Sequence, residues 1–220
     1  MRLDAIARVL QDLSSDDTAD AAGTTSDAND GRVWVLRRLA LRGDRLPRYR
    51  DDLALTTWCS GVGPRWAERR SDIEWGDGRR IEATALWACT DIATGAPVAL
   101  GKAFESTFGV SAGHRRVSAR LTLPGPPSAD GRSWSLRATD FDVLGHLNNA
   151  NYWAPVEESL AAERPSRASA PIEFAVIEFR GGVDPGDEVV IVERRTHETI
   201  EQWWLVDDDL RASTLVALAT

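Results

Sequence analysis

Residues 137–158 read R-A-T-D-F-D-V-L-G-H-L-N-N-A-N-Y-W-A-P-V-E-E, and they join a predicted strand to a predicted helix. At the start of this stretch, residues 133–138 alternate between apolar and polar side chains, which is typical of a strand. Further on, Tyr152, Val156 and Leu160 recur at the spacing of one helix face. The polar residues between these two elements are therefore predicted to form a turn that ends a strand and opens a helix.

This turn brings together side chains that suit chemistry at a carbonyl group. Asp142 or His146 can activate a water molecule. Asn148 and Asn149 stand where the helix begins, where an Asn side chain can cap the helix and free backbone N–H groups can stabilise an oxyanion. Asp, Asn and Gly also dominate ordinary turns, so turn formation explains any one of these residues alone. The complete string favours a catalytic site, because a turn needs neither His146 nor the pair Asp140 and Asp142.

The string resembles the signature of hot-dog-fold thioesterases, and specifically the D-x-N-x-H-x-N-N-x-x-Y segment of the acyl-[acyl carrier protein] thioesterase family. On this resemblance, Asp142 and His146 match the family's catalytic Asp and His. Asn148, Asn149 and Tyr152 match the flanking N-N-x-x-Y. The resemblance implies an enzyme that hydrolyses fatty acyl thioesters.

The chain departs from the family at three positions that the family uses. Leu144 replaces the catalytic Asn, and leucine cannot hydrogen-bond a thioester or a water molecule. In the family a Glu and, in plant members, an adjacent Cys follow an E-Y-R-like string. That string resembles residues 178–180, and Gly182 and Val183 stand at the positions of the Glu and the Cys. A cysteine-nucleophile mechanism is thereby excluded.

The first half of the chain carries further strings that resemble the family. T-W, R-W-A-E-R-R and W-x-x-x-D-x-x-T-G-x-P-V are similar to its landmarks and comprise Thr57, Trp58, Arg65, Trp66, Glu68, Arg69, Arg70, Trp87, Asp91, Thr94 and Pro97. These positions fall on predicted strands and hairpins, so they indicate family membership and carry no chemistry. Residues 3–12 resemble the family's first hot-dog helix.

The predicted fold is α+β, a tandem (double) hot dog in which each half is a long helix wrapped by a curled antiparallel sheet. An N-terminal domain is predicted over residues 1–123, a linker over 124–131, and a C-terminal domain carrying the active site over 132–220. The break P-G-P-P-S-A-D-G sets the boundary, because proline and glycine favour an extended linker. Alternating patterns predict strands over 33–41, 53–58, 81–87, 98–100, 117–123, 172–180, 188–196, 202–206 and 212–218, and residues 65–75 are predicted to form a hairpin closed by a turn at 76–78.

The beginning of the chain departs from the family pattern. Residues 2–13 have an apolar stripe at helical spacing, whereas 14–31 are polar, acidic and small and are predicted to form a loop. The family places a strand before its first helix, and this opening strand is apparently missing here. We expect either that upstream residues supply it, or that the loop or a second chain covers the open sheet edge. Because two hot dogs in one chain pair with each other, the expected state is a monomer or a homodimer.

Composition excludes several classes of function. The chain has 220 residues and a net charge of −8, which argues against nucleic-acid binding. Cys59 and Cys89 lie in strand-like segments without a histidine cluster, so they are predicted to be buried free thiols, and no metal and no cofactor are expected. The sequence contains neither an apolar run of membrane-spanning length nor an apolar signal region, so a cytoplasmic protein without a membrane span is expected.

Three functions remain open at this stage. The first is hydrolysis of acyl-acyl carrier protein in fatty acid biosynthesis, with docking of the acidic carrier on a cluster of arginines: Arg37, Arg38, Arg42, Arg45, Arg48 and Arg50. The second is hydrolysis of acyl-CoA, because the D-x-x-G-H form also occurs in hot-dog thioesterases that act on acyl-CoA. The third is a non-catalytic acyl-binding hot dog, because the family's Asn, Glu and Cys are absent.

Overall fold

The computed structural model of the protein describes residues 1–22, 31–43, 45–76, 78–163 and 172–218. In chain order the elements are α1 (Leu3–Ala22), β1 (Arg32–Gly43), β2 (Leu53–Val62), β3 (Trp66–Trp75), β4 (Arg79–Asp91), α2 (Lys102–Ala112), β5 (Arg132–Trp134), α3 (Ala154–Glu163), β6 (Ile172–Phe179), β7 (Val189–Arg195), β8 (Thr199–Val206) and β9 (Asp209–Leu218). The predicted α+β class is confirmed.

The strands form one antiparallel sheet in the order β2-β3-β4-β1-β6-β9-β8-β7-β5. The four strands of the first half lie on one side of this order, and the five strands of the second half lie on the other. The two groups meet where β1 pairs with β6, in a register that runs from Arg38 opposite Glu178 to Arg42 opposite Phe174. The sheet is therefore continuous across the chain.

The core lies between the sheet and the helices that cover it. Leu3 and Ile6 of α1 are completely buried, as is Val156 of α3. The backbone N–H of Leu3 donates a hydrogen bond to the carboxylate of Glu157. This bond joins the two helices and gives an acceptor to one of the free N–H groups at the start of α1.

The helix α1 is longer than the predicted one, and the prediction of a loop from residue 14 was wrong for its first nine positions. The helix continues to Ala22. The hydroxyl of Ser14 donates to the carbonyl four residues earlier, and Asp17 pairs with Arg69 of β3 at 2.5 Å. These contacts stabilise a polar helical segment that its own sequence does not favour. Residues 23–30 of the predicted loop lie outside the described residues.

The helix α2 follows a stretch where a strand was wrongly predicted at 98–100. Only Pro97 forms a β-bridge there, with Thr90. Phe104 of α2 packs on Trp34 of β1 with ring centroids 5.3 Å apart, and Phe108 packs on Phe104 at 5.0 Å. Ser, Thr and Gly within α2 lower its helix propensity, so tertiary packing determines this element.

The strand predicted at 117–123 was also wrong, because these residues are extended but belong to no strand. Apart from one backbone hydrogen bond, from the N–H of Val117 to the carbonyl of Val62 at 3.2 Å, the bonds from the sheet to this segment come from side chains. The indole of Trp66 donates to the carbonyl of Val117 at 2.9 Å, and Arg180 donates to the carbonyl of Leu123 at 3.0 Å. An extended, alternating pattern does not reveal whether a strand partner is present.

Glu178 of β6 also binds the segment 117–123. Its side chain is completely buried. The carboxylate accepts hydrogen bonds from the backbone N–H groups of Thr122 and Leu123, at 2.8 to 2.9 Å. Arg38 and Arg180 lie 4.0 and 3.8 Å from it. A buried carboxylate with this many donors fixes the path of the chain between the two halves.

The second half follows the sequence closely. The four strands predicted there correspond to β6, β7, β8 and β9. The strand predicted at 133–138 is shorter, because β5 ends at Trp134 and a 3-10 turn follows at Ala138–Asp140. The site helix begins with a 3-10 turn at Asn151–Trp153 that leads directly into α3, which places Pro155 in the first turn of α3, where proline is tolerated.

The edge of the sheet at β2 is partly covered. Val62 forms a parallel bridge with Arg116, and its N–H donates to the carbonyl of Arg115 at 3.0 Å. Glu68 of β3, which is 5% exposed, accepts hydrogen bonds from Arg115 and from Ser60. Burial acts to raise the pKa of the Glu68 carboxyl, but these hydrogen bonds outweigh it and the pKa lies below its usual value.

None of the helices in the described ranges is both long and apolar enough to cross a membrane.

Candidate active site

The centre of the site is a tight hairpin. Phe141 and Leu147 form an antiparallel bridge. Within it, the N–H of Gly145 donates to the carbonyl of Asp142 at 3.0 Å, and the N–H of Asp142 donates to the carbonyl of His146 at 2.8 Å. Gly145 has a φ of 82°, in the left-handed region that glycine adopts without strain. D-V-L-G is thus a turn with Asp at its first position and Gly at its last, joined to a one-residue bulge.

One carboxylate oxygen of Asp142 accepts the hydrogen bonds that stabilise this turn. Its Oδ1 accepts a hydrogen bond from the N–H of Leu144 at 2.9 Å and a longer one from the N–H of His146 at 3.4 Å. Among the described residues, no hydrogen-bond donor reaches its Oδ2. The side chain is half-buried. The carboxylate is therefore held in place by one oxygen while the other can bind a water molecule.

Val143 and Leu144 form the tip of the hairpin. Val143 is fully exposed and Leu144 is 58% exposed. Only the backbone of Leu144 takes part in the hydrogen bonding described above. The side chain that stands at the position of the family's Asn therefore supplies no polar group to the site.

The imidazole of His146 contacts a residue that sequence reasoning missed. Its Nδ1 lies 2.6 Å from Oδ1 of Asp184, in the loop between β6 and β7. The two loops are joined by a backbone hydrogen bond from Leu147 N–H to the carbonyl of Val183 at 2.9 Å. The sequence offers one signal for this residue, an Asp directly after Val183, which stands at the position of the family's Cys.

Asn148 acts as a structural residue at the start of the helical segment. Its side-chain oxygen accepts a hydrogen bond from the N–H of Ala150 at 2.9 Å, and its carbonyl accepts one from the N–H of Asn151 at 2.8 Å. The N–H of Asn148 donates to the carbonyl of Asp140 at 2.9 Å. The side chain of Asn148 thus performs the predicted capping.

Asn149 links the hairpin to a cavity beneath α1. Within the described part of the chain, its backbone N–H has no acceptor, so this donor is available to a ligand. The cavity provides about 20 Å³ of space that a water molecule can enter, little more than one water needs. Its wall is mainly apolar and comprises Ala7, Leu10, Gln11, Ser14, Leu36, Leu39, Arg69, Ser71, Ala83, Ala85, Trp87 and Asn149.

Tyr152 anchors the helix start in the core. It is 2% exposed, and its ring packs edge-on against Phe179 at 5.2 Å and tilted against Trp204 at 4.7 Å. Burial raises the pKa of the Tyr152 phenol well above its usual value. The ring therefore stays neutral and fixes the first turn of the helix in position.

The cysteines are free and buried, as predicted. Burial raises the pKa of the Cys59 thiol, so this thiol is a poor nucleophile. Across the ranges given above, no group of three or more His, Cys, Asp or Glu residues is arranged to hold a metal ion.

The arginines of the first-half cluster differ in exposure and in contacts. Arg38 lies against Glu178 and the segment after α2. Arg42 stacks over Phe174 at 5.4 Å on the exposed side of β1. The exposed members of the cluster are Arg42, Arg45, Arg48 and Arg50.

Comparison with known families gives two matches. Residues 1–106 match the family described as the acyl-ACP thioesterase N-terminal domain, and residues 128–213 match the acyl-ACP thioesterase C-terminal domain. A curated relative, the uncharacterized protein Rv2001 of Mycobacterium tuberculosis, is 29% identical over 218 residues, which cover 98% of this chain and 84% of the relative.

Three solved structures share the fold. An acyl-ACP thioesterase from Bacteroides thetaiotaomicron has a TM-score of 0.82 at 17% identity, covering 100% of this chain and 90% of its own. A 12:0-ACP thioesterase from Umbellularia californica has a TM-score of 0.81 at 15% identity, with coverages of 100% and 90%. A putative oleoyl thioesterase from Lactobacillus plantarum has a TM-score of 0.78 at 21% identity, with coverages of 100% and 89%.

Proposed function

Because the chain belongs to the acyl-ACP thioesterase family, we propose that it hydrolyses fatty acyl thioesters of acyl carrier protein and releases free fatty acids for fatty acid biosynthesis. The observation that carries this proposal is the placement of Asp142. One of its carboxylate oxygens holds the hairpin, and the other has no donor among the described residues. The same turn leads to Asn149, which lines the mainly apolar cavity.

We also propose that the chain is a tandem hot dog, with domains at 1–123 and 132–220 and a linker at 124–131. Support comes from the sheet order, in which the strands of each half are neighbours and the halves meet only at β1 and β6. Each half contributes one long helical segment to the core, which is the layering expected of a helix wrapped by a sheet.

In the proposed reaction, water adds to the carbonyl carbon and the carbon–sulfur bond breaks. Oδ2 of Asp142 takes a proton from the water as its oxygen attacks. The backbone N–H of Asn149 stabilises the oxyanion of the tetrahedral intermediate. His146 takes up a proton at Nε2 from solvent and delivers it to the departing sulfur, and Asp142 releases the proton of the attacking water to solvent, so the products are a carboxylic acid and the thiol of the carrier. Because Leu144 and Gly182 have no polar side-chain group, these roles are assigned to Asp142 and His146.

We propose acyl carrier protein as the carrier because its charge is opposite to that of the exposed arginines. Acyl carrier protein is acidic and bears its acyl chain on a phosphopantetheine. The exposed members of the arginine cluster present guanidinium groups that would steer such a partner towards the protein. Association driven in this way weakens as salt screens the charges.

Acyl-CoA is the second candidate substrate, favoured by the D-V-L-G-H form of the hairpin and by Leu144. The same acyl chain offered on carrier protein and on CoA separates the two proposals. We expect a higher kcat/KM for the carrier-protein substrate, falling with added salt. A strong preference for CoA would contradict the carrier assignment.

The third candidate, a non-catalytic acyl-binding protein, rests on the loss of the family's Asn, Glu and Cys. Mass spectrometry of the protein incubated with an acyl thioester distinguishes it from an enzyme. Our proposal requires free fatty acid to accumulate over many turnovers. A tightly bound acyl chain without turnover would support the binding role instead.

A further inference from the structure

We propose that Asp184 is the positioning carboxylate of His146, which compensates in this chain for the Glu that is absent at position 182. The inference deepens the proposed thioester hydrolysis and rests on it. It begins from the distance of 2.6 Å between Nδ1 of His146 and Oδ1 of Asp184. An ionised carboxylate only accepts hydrogen bonds, so Nδ1 donates to Asp184 and Nε2 is the nitrogen left to exchange a proton with the substrate.

The local backbone positions the carboxylate of Asp184. Its N–H donates to Oδ2 of Asp187 at 2.8 Å, and the N–H of Asp187 donates back to its carbonyl at 3.2 Å. Gly186 closes this turn with a φ of 97°. The neighbouring Val183 accepts the backbone hydrogen bond that ties this loop to the hairpin of His146. Both partners are therefore fixed by hydrogen-bonded turns.

Gly182 provides the space that this arrangement needs. A Cβ placed on Gly182 would lie 3.4 Å from Nδ1 of His146. A longer side chain at this position would compete with Asp184 for the same face of the imidazole. The glycine and Asp184 therefore belong to one arrangement, in which a carboxylate two positions further along the loop contacts the histidine.

The exposure of the pair argues against a mainly structural role. The side chains of His146 and Asp184 are 58% and 60% exposed. Ion pairs at this exposure contribute little to stability. The contact instead fixes the tautomer and the ring orientation, and it favours the imidazolium that forms while His146 carries a proton to the leaving sulfur. The other charged groups near this turn are Asp142, Asp187 and Arg211.

The test is Asp184→Asn in the full-length chain, with Asp184→Glu as the conservative variant. We expect Asp184→Asn to lower kcat at least about tenfold while KM changes less than about twofold, because Asp184 acts through His146 and does not touch the substrate. Asp184→Glu should restore part of kcat. Glu188→Gln is the matched control, since Glu188 is an exposed carboxylate at the end of the same loop, and it should keep the wild-type kcat.

A second measurement does not depend on activity. The ¹⁵N chemical shifts of the His146 ring report which nitrogen carries the proton. They should show an Nδ1–H tautomer in the wild type and in Glu188→Gln, and a mixed or Nε2–H state in Asp184→Asn. An unchanged tautomer together with an unchanged kcat would overturn the proposal. A protein that shows the tautomer switch but hydrolyses no thioester would retain the pairing and refute the proposed function.

Discussion

At the scale of the residue, the side chains that build the turn are also those to which we assign the chemistry. Asp142 uses Oδ1 to hold the hairpin, and Asn148 uses its side-chain oxygen to cap the start of the helical segment. Turn propensity places Asp and Asn at these positions whether or not the protein is an enzyme. Among the described residues, Oδ2 of Asp142 and the backbone N–H of Asn149 have no partner in the turn. These two groups are therefore available to a substrate.

Glu178 gives a residue-scale prediction about stability. Glu178→Ala should lower the free energy of unfolding by about 3 kcal/mol, because it leaves two buried N–H groups without their charged acceptor and removes the partner of two arginines. Urea denaturation measures the difference. Glu173→Ala on the same strand is the control, since Glu173 is exposed, and it should change stability by less than about 0.5 kcal/mol. Equal effects of the two substitutions would refute the anchoring role of Glu178.

The sequence pointed to the hairpin residues because they lie within twelve positions of one another. It did not point to Asp184, which is 38 positions from His146 in the chain. Their contact depends on the pairing of two loops, and no local pattern encodes that pairing. The burial of Glu178 was not predicted either. In the sequence, Glu178 is one charged residue within an apolar strand, and its partners are distant in the chain.

At the scale of the element, strands with clear alternation and short turns were predicted well, and elements stabilised by distant partners were not. Of the four strands after the site, β7, β8 and β9 are joined by hairpins of consecutive strands, whereas β6 pairs with the distant β1 and β9 and was predicted from its apolar pattern. The second half of α1 depends on Asp17 meeting Arg69, and α2 depends on Trp34. The segment 117–123 alternates as a strand does, yet side chains of the sheet supply its partners.

The covering of the β2 edge gives a prediction about pH. The folded-state pKa of Glu68 is lowered below the usual 4.5, so the unfolded chain binds more protons there than the folded one. Its contribution to stability is present above about pH 4.5 and is lost as the pH falls through the lowered pKa. Glu68→Gln should therefore be less stable than the wild type at pH 7, and this difference should shrink below pH 4.5.

Urea denaturation over a pH series measures this difference. Glu74→Gln serves as the control, because Glu74 lies exposed on the same strand, and it should follow the wild-type curve. A difference between Glu68→Gln and the wild type that stays constant from pH 7 to pH 3 would show that the charge of Glu68 does not hold the segment at the sheet edge.

At the scale of the whole molecule, one continuous sheet joins the two halves. The turn after the hairpin of the second half thereby lines a cavity formed mainly by the first half. The family resemblance and the α+β class were accessible from the sequence. The cavity was not, because its walls come from one helix, three strands and a turn that are separated along the chain. We propose that α1 or its neighbours shift to admit an acyl chain, because the cavity holds little more than one water molecule.

Ala85 tests whether this cavity receives the acyl chain. Ala85→Leu adds bulk to the cavity wall, so kcat/KM should fall more for long acyl chains than for short ones, and released fatty acids should become shorter. Ala88→Leu adds the same bulk to the same strand at a residue that does not line the cavity, and it should leave the product profile unchanged. Identical profiles for both variants would place the acyl chain elsewhere.

The most direct test of the proposed function is the release of free fatty acid from purified acyl-acyl carrier protein by the wild type and by Asp142→Asn. Asparagine keeps an oxygen acceptor for the N–H of Leu144 but cannot take a proton from water. We expect many turnovers by the wild type, a rate at least about 100-fold lower for Asp142→Asn, and similar melting temperatures for both. A wild type that releases no fatty acid, or an Asp142→Asn variant with full activity, would contradict the proposed function.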